Sequence, residues 1–273
     1  MKYKFWLSNL AAVFLAACAS APAPDPGQPL ASPPLTRQST QRAVLAPTGA
    51  LRVGVYLGSP TSLVIDAQGQ RSGVAYEMGH ALGRSLGVPV RVVEYRRVAE
   101  VVEALRTAQV DFTVTNASPA RAQLVSFAKP MLSLELGYLV PVRGTVQTTS
   151  DIDRAGTRVG VSEGSSSQAV LERRFQQAKV VPVASLQFAA EGLQQGALDV
   201  FATNKAILHE LSDNVPGSRI LEGRWGLEQM AIAIPKGRED ALPQLDAFAL
   251  EMRNNGSLAA IVQRAGLRGT AAP

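Results

Sequence analysis

From residue 51 to residue 267 the sequence alternates short apolar runs with longer amphipathic stretches. Apolar runs of this length are typical of buried strands, and the amphipathic stretches are typical of helices that cover them. The alternation predicts an α/β fold with largely parallel strands. The predicted strands are Leu51–Tyr56, Val90–Glu94, Val110–Thr115, Thr157–Val161, Val180–Val183, Leu198–Thr203 and Met230–Ile234, and the predicted helices are Val74–Leu86, Val98–Thr107, Gln168–Gln177, Leu186–Gln195, Ala206–Leu211, Leu242–Arg253 and Leu258–Arg264.

The composition excludes several classes of function. With 46% hydrophobic residues the chain can bury a substantial core, and its net charge of +5 is too weak and too dispersed to indicate nucleic-acid binding. A single cysteine, Cys18, excludes an intrachain disulfide and a cysteine-based zinc cluster. The only two histidines, His80 and His209, are far apart in the sequence, so we expect no metal site and no cofactor.

The N-terminus has the pattern of a secretory signal over residues 1–17. Lys2 and Lys4 precede an apolar stretch that ends at Ala17 and is too short for a permanent membrane anchor. Leu15-Ala16-Ala17-Cys18 resembles the lipobox of bacterial lipoproteins, which implies that Cys18 is lipidated and becomes the first mature residue. The alternative is an ordinary cleavage site followed by a chance thiol.

Residues 18–50 are expected to form a disordered tether between the lipid and the folded part. Seven prolines lie between Ala19 and Ala50, among Ala, Ser, Thr and Gln. Such a segment cannot build a core. A lipid-anchored periplasmic protein is therefore expected, and Ala19 after the cysteine favours the outer membrane over the inner one.

A series of motifs in the folded part resembles a known family. In chain order they are Leu51-Arg52-Val53-Gly54-Val55, Val110-Asp111-Phe112, Pro119-Ala120-Arg121-Ala122, Phe127-Ala128-Lys129-Pro130, Thr157-Arg158-Val159-Gly160-Val161, Gly164-Ser165-Ser166, Gly196-Ala197-Leu198-Asp199-Val200 and Met230–Pro235-Lys236-Gly237. Their order and spacing are similar to solute-binding protein family 3 of ABC transporters, the polar amino-acid binders. The resemblance covers Leu51 to Leu267.

The resemblance implies a type II periplasmic-binding-protein-like fold, in which two α/β lobes are joined by two hinge strands. The first lobe would comprise residues 51–138 and 231–267, and the second residues 139–230, with a flexible tail at 268–273. The hinge strands are expected within Leu132–Val142 and Leu227–Ile234. A small carboxylate-bearing ligand would be captured between the lobes by hinge closure and delivered to an ABC transporter permease in the inner membrane.

Arg121 is the residue that the resemblance assigns to the ligand carboxylate. A guanidinium suits that role because its planar fork donates two charge-assisted hydrogen bonds. Thr115, Asn116 and Ser118 precede it in a loop that is shorter than in the family, and we expect them to supply further polar contacts. The alternative for Arg121 is a surface arginine at a helix end.

Ser165 and Ser166 follow a predicted strand and begin a predicted helix. Free N–H groups and hydroxyls at a helix N-terminus attract anions, so this loop is expected to contact the same carboxylate when the cleft closes. The alternative is a serine that caps the helix without any ligand.

Two positions depart from the family pattern. Asn204 stands where amino-acid binders have an aspartate that pairs with the ligand ammonium, and an amide cannot supply that charge. We therefore expect weak binding of standard amino acids unless another acid replaces the missing one. Ser59 lies in a Ser-Pro-Thr-Ser segment that replaces an aromatic lid, which predicts a more polar pocket.

Three other functions fit parts of the sequence. Gly160-Val161-Ser162-Glu163-Gly164 matches the G-x-S-x-G elbow of hydrolases, but only His209 is available downstream as a triad histidine. The resemblance family includes dehydratase-like members, for which Glu163 or Glu77 would have to act as the general acid. A ligand sensor that does not transport is the third alternative. We expect a binding protein and not an enzyme.

Overall fold

The tetrapeptide Arg-Val-Gly-Val occurs twice, at residues 52–55 and 158–161. In the computed structural model, which describes residues 42–271, the first copy lies in strand β1 (Leu51–Tyr56) and the second in strand β8 (Arg158–Ser162). Each strand is the start of one half of the fold. The predicted leader, Cys18 and the first part of the predicted tether lie outside the described residues.

In each copy the arginine forms a bidentate ion pair with an aspartate that precedes a later strand. Arg52 donates from Nε and Nη2 to Asp111 at 2.8 and 2.6 Å, and Arg158 donates from the same atoms to Asp199 at 2.9 and 2.8 Å. Asp111 is fully buried and also accepts from Arg238 at 2.8 Å. The same kind of bidentate ion pair therefore stabilises the first strand of each half of the fold.

The first lobe is built around β1 and β4, which pair in parallel. Helix α1 packs on them, because Val74, Met78, Leu82 and Leu86 recur every four residues and all four are buried. The elements of this lobe are β1, β2 (Val64–Ile65), β3 (Arg71–Ser72), α1 (Val74–Leu86), β4 (Val90–Tyr95), α2 (Val98–Arg106), β5 (Thr113–Asn116), α3 (Pro119–Ala122) and β6 (Val125–Phe127), followed much later by α7 (Leu242–Asn254) and α8 (Ser257–Arg264).

The second lobe is built around β8, which pairs in parallel with β9 on one side and β10 on the other. Most of its buried apolar residues, among them Val159, Val161 and Val200, form clusters separate from the core of the first lobe, whereas Ala206 of α6 packs in that core. The elements are β8, α4 (Ser166–Arg174), β9 (Lys179–Val183), α5 (Leu186–Gln194), β10 (Val200–Asn204), α6 (Lys205–Asn214) and β11 (Arg219–Ile220).

Two long strands, β7 (Leu132–Val140) and β12 (Gly226–Pro235), run between the lobes and pair with each other in antiparallel register. At one end β12 pairs with β5 and β6, and at the other β7 pairs with β10 and β11, again antiparallel. The predicted lobe boundaries fall within these two strands. The expectation of largely parallel strands holds inside each lobe but is wrong here, because the chain crosses once in each direction.

The last residues of the predicted tether are part of the fold. Residues 42–45 are helical, and Leu45 and Ala46 are 0% and 4% exposed in the core of the first lobe. The expectation of a tether that continues to residue 50 is therefore wrong. Val44-Leu45-Ala46 is an apolar run inside a Pro-rich composition, and its burial against α1 outweighs the cost of ordering it.

The C-terminal segment 268–271, which we expected to be part of a flexible tail, contacts both lobes. The N–H of Glu135 donates to the carbonyl of Gly269 at 3.0 Å, and the N–H of Ala271 donates to the carbonyl of Ser133 at 2.9 Å, so the segment pairs along β7. Arg268 forms ion pairs with Asp213 and Glu210 on α6.

None of the helices that the structure describes is both long enough and apolar enough to cross a bilayer.

Candidate functional site

A small cavity lies where the loops that end β5, β8 and β10 meet the two crossing strands. Its volume is about 30 Å³, room for one or two water molecules, so a larger solute fits only if the lining residues or the lobes move apart. The lining comes from both lobes and from β12: Tyr56, Thr61, Arg96, Arg97, Val98, Thr115, Asn116, Arg121, Ser162, Ser165, Ser166, Ser167, Ser185, Leu186, Thr203, Asn204, Ile207, Glu228 and Met230.

Arg121 reaches this cavity from a short helix of the first lobe. Ser118 caps α3 by accepting from the N–H of Arg121 at 3.3 Å, and Pro119 begins the helix, which directs the guanidinium back toward β5. There Arg121 Nη1 donates to Thr115 Oγ1 at 2.7 Å. Arg121 is only 8% exposed and forms no ion pair within residues 42–271. Its positive charge is therefore buried without an ion-pair partner.

Burial dominates the protonation chemistry around Arg121. Loss of solvent lowers the pKa of Arg121 from its ordinary value, and the charges of Glu228 and Tyr56 oppose that shift in part. Loss of solvent raises the pKa of the Tyr56 hydroxyl. An anion beside Arg121 would stabilise the charged guanidinium, which is the form that binds carboxylates.

The other predicted residues of the first lobe divide into two groups. Thr115 and Asn116 line the cavity, as expected from their place before Arg121. Ser118 is used as the helix cap and does not line the cavity. Ser59 is fully buried behind the lining, where its Oγ lies 3.3 Å from Tyr56 Oη and 2.8 Å from Thr61 Oγ1.

The predicted serine loop of the second lobe faces Arg121 from across the cavity. Ser165 caps α4 by accepting from the N–H of Gln168 at 3.1 Å, which was the alternative interpretation of this loop. Ser165, Ser166 and Ser167 nevertheless line the cavity. The first N–H groups of a helix have no partners within it, so this end of α4 offers donors to an anion.

Asn204 lies on the cavity wall at the end of β10 and is held in one orientation. Its Oδ1 accepts from the N–H of Ile207 at 3.1 Å, which caps α6 and leaves Nδ2 directed at the cavity. Nδ2 donates to Glu228 Oε2 at 3.0 Å. Glu228 is 7% exposed and belongs to β12, so a carboxylate from a crossing strand lies beside the amide of Asn204.

Glu228 is the residue that the sequence analysis missed, although the sequence carries a signal for it. Side chains on a strand alternate between faces, so Glu228 shares its face with Met230 and Ile232. Both of those residues are buried, at 3% and 0% exposure. An acid that shares the face of a buried apolar run points inward, and that alternation was the available signal.

Two side-chain contacts and one close approach join the lobes across the cleft. Arg97 Nη1 at the start of α2 lies 3.0 Å from Glu163 Oε2 after β8. Asn116 Nδ2 donates to Ser166 Oγ at 3.2 Å. A Cβ atom added to Gly164 would lie 2.6 Å from the Cβ of Ala99, so the loop of the second lobe approaches α2 very closely.

The residues of the enzyme alternatives are not assembled into catalytic sites. Ser162 lines the cavity, but the lining contains no histidine, and His209 lies on α6. Glu163 is half-exposed and paired with Arg97, and Glu77 is paired with Arg264 on the far side of α1. Within residues 42–271 no cluster of three or more His, Cys, Asp or Glu side chains has the geometry of a metal site.

The fold with its interlobe cavity is that of a periplasmic-binding-protein-like receptor, as the sequence predicts. The family model for bacterial extracellular solute-binding proteins, family 3, matches residues 51–267. The chain therefore belongs to this family. Membership implies a location outside the cytoplasm.

Curated relatives are named as binding proteins. The chain is 20% identical over 207 residues to the amino-acid-binding protein AabA of Dichelobacter nodosus, which covers 73% of this chain and 81% of the relative. It is 22% identical over 221 residues to the L-cystine-binding protein TcyJ of Escherichia coli K12, which covers 79% and 82%. These relatives are binding proteins and not enzymes.

Solved structures have the same fold. A mutant of ArgBP from T. maritima matches with a TM-score of 0.74 at 21% identity and covers 82% of this chain and 98% of its own. A solute receptor for L-cysteine of Neisseria gonorrhoeae matches with a TM-score of 0.73 at 25% identity and covers 82% and 92%. An ancestral amino acid-binding protein, described as a precursor of cyclohexadienyl dehydratase, matches with a TM-score of 0.72 at 21% identity and covers 83% and 99%.

Proposed function

We propose that this protein is a lipid-anchored periplasmic receptor that captures a small carboxylate-bearing solute and delivers it to an ABC transporter permease. The observation that carries the proposal is the guanidinium of Arg121, which is buried in the cavity with one neutral hydrogen-bond partner. A buried charge without a counter-ion is costly, and a ligand carboxylate would remove that cost.

The serine loop supplies the other half of the anion site. Arg121 belongs to the first lobe and the N-terminus of α4, with Ser165 and Ser166, to the second. A carboxylate held between them would contact both lobes at once. Binding would therefore favour the closed arrangement, which is how a ligand shifts a hinge equilibrium.

The names of the relatives support an amino acid or a related organic acid as the solute. AabA is an amino-acid-binding protein and TcyJ an L-cystine-binding protein. The anchor is supported by Leu15-Ala16-Ala17-Cys18 and the Pro-rich segment after it, and Ala19 favours the outer membrane.

A thermal-shift screen of the purified protein against amino acids, organic acids and small sulfonates tests the capture of a carboxylate. A ligand at 100 times its dissociation constant adds about 2.7 kcal/mol to the free energy of unfolding, which displaces the melting temperature measurably. If sulfonates or neutral solutes stabilise the protein and no carboxylate does, the assignment of Arg121 is wrong. Loss of uptake of the identified ligand in a deletion strain would support transport, and unchanged uptake would indicate a sensor.

A further inference from the structure

Glu228 places a second unpaired charge in the cavity, opposite in sign to that of Arg121. Its carboxylate is 7% exposed and forms no ion pair with any residue in the described range 42–271. Acidic side chains are almost never buried to this extent without a partner of opposite charge. The cavity therefore contains one buried cation and one buried anion, which act on each other electrostatically but form no ion pair.

Neutral donors from both lobes hold the carboxylate of Glu228 in place. Ser166 Oγ donates to Oε1 at 2.8 Å, Asn204 Nδ2 donates to Oε2 at 3.0 Å, and Asn116 Nδ2 donates to Oε1 at 3.4 Å. The amide orientation of Asn116 is fixed as well, because its Oδ1 accepts from the N–H of Gln229 at 3.1 Å. The carboxylate is thus oriented by neutral donors alone and forms no ion pair.

We infer that Glu228, on the crossing strand β12, is the acceptor for the ammonium group of an amino-acid ligand. The inference rests on the proposed function, since it adds the partner of the amino group to a carboxylate site at Arg121. A zwitterion is the one class of ligand that neutralises both buried charges together. A purely anionic ligand would leave Glu228 unpaired, and a purely cationic one would leave Arg121 unpaired.

The position of Glu228 explains how Asn204 is compatible with amino-acid binding. The side chain of Asn204 occupies the wall at the end of β10 and donates to Glu228, so it orients the acid instead of contributing one. The negative charge is carried by the crossing strand β12 and not by the second lobe, and it lies one hydrogen bond away from the amide of Asn204.

Binding of matched ligand pairs tests the inference. We would titrate the purified protein calorimetrically with alanine and propionate, cysteine and 3-mercaptopropionate, glutamate and glutarate, and arginine and 5-guanidinopentanoate. In each pair the second compound lacks only the amino group. For the pair with the tightest-binding amino acid we expect the wild type to bind the amino acid at least about tenfold more tightly.

Glu228→Gln keeps the shape of the side chain and removes its charge. Removal of one partner of a desolvated charge pair corresponds to a loss of affinity of about 30-fold or more. We expect that loss for the amino acid and less than about threefold change for its deaminated partner. Glu222→Gln, on the exposed surface of the second lobe, changes the net charge equally and should change neither affinity.

Asn204→Asp in the Glu228→Gln background separates a charge role from a structural one. It returns a carboxylate to the cavity wall, and we expect it to recover part of the lost amino-acid affinity without affecting the deaminated ligand. A residue that only supports the fold would not be rescued in this way.

The outcomes distinguish this inference from the function on which it rests. Equal binding of amino acid and deaminated acid by the wild type overturns the role of Glu228 and leaves the carboxylate site intact, even if Glu228→Gln does not fold. Unchanged amino-acid affinity in Glu228→Gln, or an equal loss for both ligands, also overturns it. If no member of any pair binds, the proposed function fails as well.

Discussion

Gly164→Ala is expected to prevent full closure of the cleft without damaging either lobe. The added Cβ would lie 2.6 Å from the Cβ of Ala99 on α2, whereas ordinary contacts are at 3.4–4 Å. Gly164 belongs to the second lobe and Ala99 to the first, so the clash exists only while the lobes are together. Overpacking of this kind costs about 1–3 kcal/mol.

This cost reduces the affinity, because part of the binding free energy is used to close the lobes against the clash. At 1.4 kcal/mol for each factor of ten, we expect Gly164→Ala to weaken binding of the tightest-binding amino acid from those titrations by about 5- to 150-fold. Gly164 also has a φ of +70°, a backbone conformation that costs an alanine about 1 kcal/mol. This second cost is the same in the open and closed states, so it lowers the free energy of unfolding and not the affinity.

Gly156→Ala is the matched control for the backbone cost. Gly156 also lies in the second lobe, has a φ of +87° and has nothing within 4 Å of the position of an added Cβ. It should lower the melting temperature about as much as Gly164→Ala and leave the affinity unchanged. Ala99→Gly in the Gly164→Ala background removes the methyl group in the way, since the Cα of Ala99 lies 3.9 Å from the added Cβ.

Calorimetric titration and small-angle scattering measure the two effects. We expect Gly164→Ala alone to weaken binding and to increase the radius of gyration of the liganded protein, and the double variant to restore both. If Gly164→Ala binds as tightly as Gly156→Ala, or if Ala99→Gly restores nothing, the loop does not limit closure and the reasoning is refuted.

Four further substitutions test the anion site, the anchor and the fold. Arg121→Ala should weaken binding of the identified ligand at least about tenfold in calorimetry, and unchanged affinity would contradict its role. Cys18→Ser should release the protein from membranes or block its maturation, and complete retention in the membrane fraction with a cleaved leader would contradict lipidation. Asp111→Asn should lower the free energy of unfolding in urea by about 3 kcal/mol, because it removes the fully buried charge that pairs with two partly buried arginines. Asp199→Asn, in the more exposed copy of the same pair, should cost about 1 kcal/mol, and an equal loss would mean that burial does not set the difference.

Local pattern was enough to predict most of the regular structure within the lobes. Helix α1 was predicted with the bounds Val74–Leu86 that it has in the structure, because a recurrence of four residues and the glycine after Leu86 are both local signals. The strand with the first Arg-Val-Gly-Val copy was predicted over the same residues, Leu51–Tyr56. Arg121 was predicted by resemblance alone, and its place in the cavity agrees with that prediction, while its contact with a ligand stays a prediction.

Composition misled where it was averaged over too long a stretch. The Pro-rich segment and the last six residues both have the composition of flexible chain, yet Leu45 is buried in the core and Gly269 is hydrogen-bonded to β7. A single apolar side chain or a single backbone pairing can order a few residues when a complementary surface is already formed. The shape of that surface depends on the packing of the whole fold, so it could not be predicted from the local sequence.

The sequence by itself determined the class of fold, the two Arg-Val-Gly-Val strands and the residue types available to a polar cleft. The tertiary structure decided which of those residues meet. Glu228 lies 24 residues from Asn204 and 112 residues from Asn116, and the three converge because β12 crosses between lobes that bring β5 and β10 to the same cavity. The register of crossing strands is set by packing over the whole sheet, so no local pattern could place that carboxylate beside the amide of Asn204 and within the same cavity as Arg121.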